Sequence, residues 1–303
     1  MFDFRYHVAS LAAVFIALAV GILVGAAISG KLGQAEDALT KEKIQSLNDQ
    51  LSLLRSQKQS VEQRGQAATQ LLESAYPALM DQRLAGRGYA VLFVGPVSGD
   101  LRSSIERTLA DGNAGSPVRL LAIDTPIDPK SLDERLQSDE DLARFAEGGD
   151  DFSDLGQTLG HEVVDGNGTP TWSMLSGELV QERSGASSAP VDGVVVVRSW
   201  TPDQSAQQGD KPTESLFEGL LSGMSKTGVP VVGVETTSTT DSAVDVYSRE
   251  GVSSVDDVDT IFGRLTLALL LAGGQPGHYG LSESASDGVT PPIEPVATTT
   301  TGG

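Results

Sequence analysis

The chain opens on an uninterrupted apolar run. From Val8 to Ile28 no residue is charged, and eleven of these 21 residues are Val, Leu, Ile or Phe. As a helix rising about 1.5 Å per residue, the run reaches roughly 31 Å, against a hydrocarbon core of about 30 Å. At about −0.3 to −0.6 kcal/mol per large apolar residue, insertion into lipid is favoured by roughly 3–7 kcal/mol. The pattern predicts a transmembrane anchor within residues 1–30. A cleaved signal peptide is the alternative, because Ala27 and Ser29 stand as small residues do at a cleavage site. Such a leader, however, has an apolar region of about 7–15 residues behind a basic segment, and here Arg5 is offset by Asp3. Within the run, small residues recur at every fourth position: Ala9, Ala13, Ala17, Gly21, Gly25 and Ser29. A stripe of this kind lets two helix backbones approach closely. Arg5 precedes the run and Lys31, Lys41 and Lys43 follow it, so the count of cations does not set the orientation. The short leader is easily retained, which predicts the N-terminus inside and the bulk of the chain exported to the cell envelope.

The pattern then changes to polar with a heptad seam. Ile44, Leu47, Leu51, Leu54, Val61, Ala68, Leu72, Ala75 and Leu79 follow alternating steps of three and four, with Lys58 and Gly65 in the same register. Nine apolar residues among eleven seam positions predict a coiled-coil helix over residues 31–85. A single helix in water leaves such a seam uncovered. The spacing therefore predicts a parallel homo-oligomer, with Ala17, Gly21, Gly25, Leu47, Leu51 and Leu54 as its contact residues. A helical hairpin turning at Gly65 is the alternative.

Gly86-Arg-Gly88 closes this helix, and residues 86–280 alternate strand and helix patterns. The continuous apolar run at Tyr89–Gly95 reads as a strand covered on both faces, and Val118–Asp124, Val191–Ser199 and Val229–Glu235 read as further strands, with a fifth near Val252–Val255. Helical spacing lies at Ser98–Ala110, Ser131–Leu159, Trp172–Glu182, Thr213–Thr227, Asp241–Ser248 and Thr260–Ala272. Strands alternating with helices predict an α/β fold with a mostly parallel, Rossmann-like sheet. Residues 281–303 are rich in Ser, Thr, Pro and Gly, lack periodicity and are expected to be a disordered tail.

Charge narrows the partners. The 303 residues carry a net charge of −20, which disfavours nucleic acid. Nine carboxylates against two arginines lie between Asp133 and Asp154, the pattern of a solvated helix face. The chain has no cysteine, which excludes disulfides, thiolate metal sites and thiol catalysis. In parallel α/β sheets ligands sit at the carboxyl ends of the strands. Gly95 and Gly99 in the first such loop, with Asp124 after the second strand, are weak candidates for a dinucleotide site, but the G-x-G-x-x-G spacing is missing. Asp256, Asp257 and Asp259 cluster ahead of the last helix. With His278 they are weak metal candidates, while helix capping explains the acids equally well. His161-Glu-Val-Val-Asp165 lacks a further metal ligand, and Gly223-Met-Ser-Lys-Thr227 precedes a strand where a phosphate loop follows one. No G-x-S-x-G occurs. The residues predict a protein that is not an enzyme and has no evident cofactor.

Both ends carry recognisable signatures. Phe4-Arg-Tyr-His-Val8 runs into Ser10, Phe15, Ala17, Ala19, Gly21, Ile22 and Gly25. Near the other end stand Val255-Asp-Asp-Val-Asp-Thr260, Leu271-Ala-Gly-Gly274 and Gly277-His-Tyr-Gly280. Together with the order of anchor, coiled coil and α/β domain, these resemble the MctB family of actinobacterial copper transporters over about residues 2–280. The resemblance implies a role in copper transport and homeostasis, with an outer-membrane location and copper as the species handled. Cu(I) favours thiolate and thioether ligands. Met1, Met80, Met174 and Met224 are scattered, as are His7, His161 and His278. The other reading is a non-catalytic scaffold or binding module of the envelope.

Overall fold

A computed structural model describes residues 4–148, 151–186, 188–200 and 210–295. The chain divides into two compact units, Met1–Ala68 and Thr69–Gly303. One helix, α1 (Phe4–Met80), begins in the first and ends in the second. Only Pro77 interrupts its run of helix-compatible residues, and it sits in the last turn.

In the first unit, Ser10–Ala27 forms a window with mean hydropathy 2.5 that is long and apolar enough to cross a membrane, and none of it is buried. Farther along, Ile44, Leu47, Leu51, Leu54 and Val61 remain 48–67 % exposed. Lys58 and Glu62 form an i,i+4 ion pair at 3.6 Å on the helix surface.

In the second unit, the end of α1 enters a core. Thr69, Leu72, Ala75 and Leu79 are half-buried, and Tyr76, Met80 and Leu84 are buried. The chain then builds β1 (Tyr89–Val94), α2 (Gly99–Asp111), β2 (Arg119–Ile123), α3 (Pro129–Ser138) and a 3₁₀ turn (Ala143–Gly148). Next come α4 (Ser153–Asp165), α5 (Pro170–Met174), α6 (Ser176–Leu179), β3 (Val180–Gly185), β4 (Gly193–Arg198) and α7 (Lys211–Ser225). The remaining elements are β5 (Val231–Val234), α8 (Val244–Arg249), β6 (Ser253–Val255), α9 (Ile261–Leu271) and β7 (His278–Tyr279). The strands form one sheet in the order β3-β2-β1-β4-β5-β6-β7. Only the β2–β3 pairing is antiparallel.

Alternation along the strands separates two cores. Ala90, Leu92 and Val94 face a layer with Leu132, Leu159, Trp172, Phe217 and Tyr247. Tyr89, Val91 and Phe93 face another with Tyr76, Met80, Ile105, Leu109 and Leu267. Both faces of the central strands are dry, which is why they read as unbroken Val, Leu and Ile runs.

On the first face, α4 and α7 pack backbone to backbone. Gly156 and Gly160 on α4 meet Gly219 and Gly223 on α7. A Cβ at any of them would overlap a facing carbonyl oxygen, of Leu216, Leu220, Ser153 or Gln157 respectively. Both helices thus carry the G-x-x-x-G spacing, and the segment around Gly223 is a helix-packing surface. Beside it lies Arg119, only 1 % exposed. Its guanidinium donates to the carbonyls of Ala186 (3.1 Å), Glu162 (3.0 Å), Val163 and Ala189 (2.5 Å). Two of these carbonyls belong to the last turn of α4, where the helix dipole favours a cation.

Three expectations require correction. The span Trp172–Glu182 is not one helix: α5 and α6 are short, and Val180 onward pairs with β2 as an edge strand. The acidic span Ser131–Leu159 is broken into α3, the 3₁₀ turn and the start of α4. Residues 281–295 of the expected disordered tail lie against the fold. Gly280 N–H donates to the Gly288 carbonyl at 3.0 Å, Thr266 Oγ1 to the Val289 carbonyl at 3.2 Å, and Arg83 Nη1 to the Glu294 carbonyl at 3.1 Å. The rest of the tail, residues 296–303, lies outside the described residues.

Candidate functional site

The carboxyl ends of β1, β4, β5 and β6 share one edge of the sheet. The first crossover from β1 leads to β2 on one side, while β4 lies on the other. Such a reversal opens a crevice between the strand ends. Polar side chains close several of these strands. Arg198 ends β4, Glu235 follows β5, and Asp256 and Asp257 follow β6.

Arg198 Nη2 donates to the Asp241 carbonyl at 2.6 Å and to its carboxylate at 2.8 Å. The same guanidinium carbon lies 5.3 Å from the Trp200 ring centroid. Glu235 is buried and accepts from the Ala243 backbone N–H. Burial pushes its carboxyl above the ordinary range, and the Ala243 donor and nearby Arg198 oppose that only partly. Between these groups lies a cleft of about 280 Å³, lined by Ser98, Arg198, Ser199, Trp200, Thr236 and Asp241 among others. A second cleft of about 470 Å³ runs past Glu235, Thr239, Ser242, Asp256, Ser282 and Ser284.

The acids of the β6–α9 connection are occupied within the chain. Asp256 accepts from Leu281 N at 2.8 Å, from Ser282 N at 3.2 Å and from the Ser282 hydroxyl. Gly280, at φ +146°, has to lack a side chain, because a Cβ there would run into the Asp256 carboxylate. Asp257 is fully buried. Its Oδ2 accepts from Thr260 Oγ1 at 2.8 Å, while its Oδ1 has no partner. Burial raises its carboxyl to about 6, with Asp256 and Asp259 adding to the rise. Thr260 in turn caps α9 by accepting from Gly263 N at 3.0 Å. Asp259 accepts from the N–H and hydroxyl of Thr237 at 2.9 and 2.6 Å.

His278, the fourth metal candidate, lies in β7 with Nδ1 2.9 Å from Ser254 Oγ, its register partner across the sheet. Ser254 is buried at 1 % exposure and so cannot serve as an accessible nucleophile. Asp256, Asp257, Asp259 and His278 are therefore not assembled as one ligand set, and among the described residues no group of three His, Asp or Glu side chains could hold a metal ion. Glu162 of the incomplete zinc pattern instead accepts from Thr171 N and Trp172 N at the start of α5. Met80 and Met224 are buried in the two cores on opposite faces of the sheet.

The dinucleotide candidates fare differently from one another. Gly95, at φ +104°, makes room for the Trp200 backbone, whose nitrogen lies 2.7 Å from a would-be Cβ. Gly99 opens α2 behind the Ser98 cap, and Asp124 accepts from its neighbour Thr125 N at 3.1 Å. Among the oligomerisation candidates, Ala17, Gly21 and Gly25 are exposed, with open space beyond both glycines, and Leu47, Leu51 and Leu54 are exposed as well. The side chains of Ala9 and Ser29 lie outside the described residues.

Arg198, Glu235 and Asp241 escaped the sequence reading. The signal was present: a single charge ends β4 at Arg198 and another follows β5 at Glu235, both otherwise apolar strands, at the edge where such sheets bind ligands.

Residues 1–291 match the MctB family, described as copper transport outer membrane protein. No curated protein matches the chain.

Proposed function

The chain belongs to the MctB family, and from that premise we propose that it is a membrane-anchored envelope protein taking part in copper transport and homeostasis. The observation that carries the reading is a family match over 291 residues, which includes the exposed apolar helix Ser10–Ala27 and the whole sheet. The anchor holds the chain in lipid, and an outer-membrane location follows the family's description. No step of catalysis enters this reading. A strain lacking the gene, compared with one given back the full chain, tests it. Changed cellular copper content and copper tolerance, both restored by the full chain, are expected. Identical copper content and growth in the two strains would remove the proposal.

A second reading is favoured by the carboxyl edge itself. Asp256, Asp259 and one oxygen of Asp257 there are engaged by backbone and hydroxyl donors of the same chain, and Met80 and Met224 are buried on opposite faces of the sheet. The α/β unit would then be a binding module or scaffold for another envelope component. Titration of the full chain in detergent with Cu(I) separates the two. Saturable stoichiometric binding supports direct handling of copper, and heat changes no larger than those of buffer support the scaffold.

A further inference from the structure

We propose that a second copy of this chain, running parallel, covers the apolar seam of α1 from Ile44 to Val61. We further propose that this pairing stops before Leu72, where the same seam passes to the chain's own core.

The seam has two parts that differ in their surroundings. From Thr69 onward it is satisfied internally: Leu72 and Leu79 pack against the cluster that holds Tyr76, Met80 and Leu84. From Ile44 to Val61 the identical three–four spacing faces nothing, and its five large side chains are about half exposed or more. An occupant has to be a helix of matching period and length, and a second α1 has both.

Size agrees with two strands. The five side chains leave roughly 100 Å² each uncovered, so two chains bring about 1,000 Å² of seam together, and the stems of flanking residues extend it toward the ~1,200–2,000 Å² of specific pairs. Charge agrees as well. In parallel register the flanking positions that face one another are Lys43 with Asn48, Gln50 with Arg55, Gln57 with Glu62, and Arg64 with Thr69. No pair sets like charges together. Lys58 occupies the seam itself, and one lysine there favours two strands over three or four, because a wider bundle would bury it. Its ammonium lies 3.6 Å from Glu62 of the same helix, which keeps the charge at the rim. Gly65 and Ala68 then narrow the seam just before it turns inward. The parallel direction rests on the membrane reading above, since two copies anchored through Ser10–Ala27 in one bilayer run the same way.

A chain without cysteine makes the test clean. Full-length variants Leu47→Cys, Leu54→Cys, Leu72→Cys and Ala75→Cys are oxidised in membranes, and the covalent dimer is measured on denaturing gels. Positions 47 and 54 should cross-link at least fivefold more than 72 and 75, and wild-type protein in detergent should have the mass of two chains. Absence of dimer at 47 and 54, equal yields at 72 and 75, or a mass of one or of three chains would overturn the proposal. Cross-linking of a Leu47→Cys and Val61→Cys mixture without self-linking at 47 would also overturn it, by showing an antiparallel pair. Unchanged melting of the 72 and 75 variants shows that their domains are folded. Carbonate washing of the same membranes keeps the premises apart. Release of the chain would break the membrane reading while dimer bands at 47 and 54 still upheld the pairing.

Discussion

Asp257 is the residue whose surroundings most sharply limit its chemistry. It is fully buried, one oxygen is held by Thr260, and the other has no donor. Its folded pKa is raised from 3.8 to about 6, first by burial. Because the folded state holds the proton more tightly than the unfolded chain, this group's contribution to stability is complete below pH 3.8 and is lost as pH rises through about 6. The loss is on the order of 2–3 kcal/mol. Glu235, raised by burial, acts in the same direction. Replacing Asp257 with Asn should flatten the fall in melting temperature between pH 4 and pH 7 and leave the variant more stable than wild type at pH 7.5. A variant with the same pH profile as wild type would contradict the assignment. None of this is visible in the sequence. Three acids within four residues read as a surface or cap cluster, and the packing of Gly263 and the return of the tail put two of them, Asp256 and Asp257, inside.

At the scale of elements, the legible parts are those in which pattern and environment agree. β1 and β5 are apolar throughout, and β2 and β4 apart from Arg119 and Arg198 at their ends, because both faces are covered, and α2, α7 and α9 begin within two residues of their expected starts. β3 was missed because Val180-Gln-Glu-Arg-Ser-Gly185 is a half-exposed edge whose only apolar residue is its first. β7 consists of two residues and exists through its pairing with β6. The acidic span was read as one helix because charge does not show where it breaks. The α4–α7 contact is legible in principle, since both helices carry the same G-x-x-x-G spacing as the apolar run. Gly219→Val places a branched side chain against the Ser153 carbonyl and should lower stability by about 1–3 kcal/mol through overpacking. Gly177→Val, at a helix glycine with open space around it, should cost under about 1 kcal/mol. Urea unfolding of the two variants checks the contrast, and equal midpoints would show that the helices do not meet through those glycines.

For the whole molecule, the sequence divided the chain into an apolar helix, a heptad segment and an α/β part. The helix continues without a break from the apolar run into the first turns that join the core, so no composition shift marks the change of surroundings near Thr69. The carboxyl edge was less legible, because its side chains come from four strand ends and from a tail that is distant in sequence. Removing Val8–Ile28 should move the protein from the membrane fraction to the aqueous one, given about 3–7 kcal/mol of lost insertion energy. A deleted chain that still sediments with membranes would assign the attachment to another part of the protein.

Leu281 and Ser282 return over Asp256 and supply its three donors. Any protease that nicks the chain just after Gly280 would leave a buried carboxylate without its three donors and would open one wall of the larger cleft. Limited digestion followed by mass spectrometry should find little cleavage between Gly280 and Ser282, where the backbone is held against Asp256.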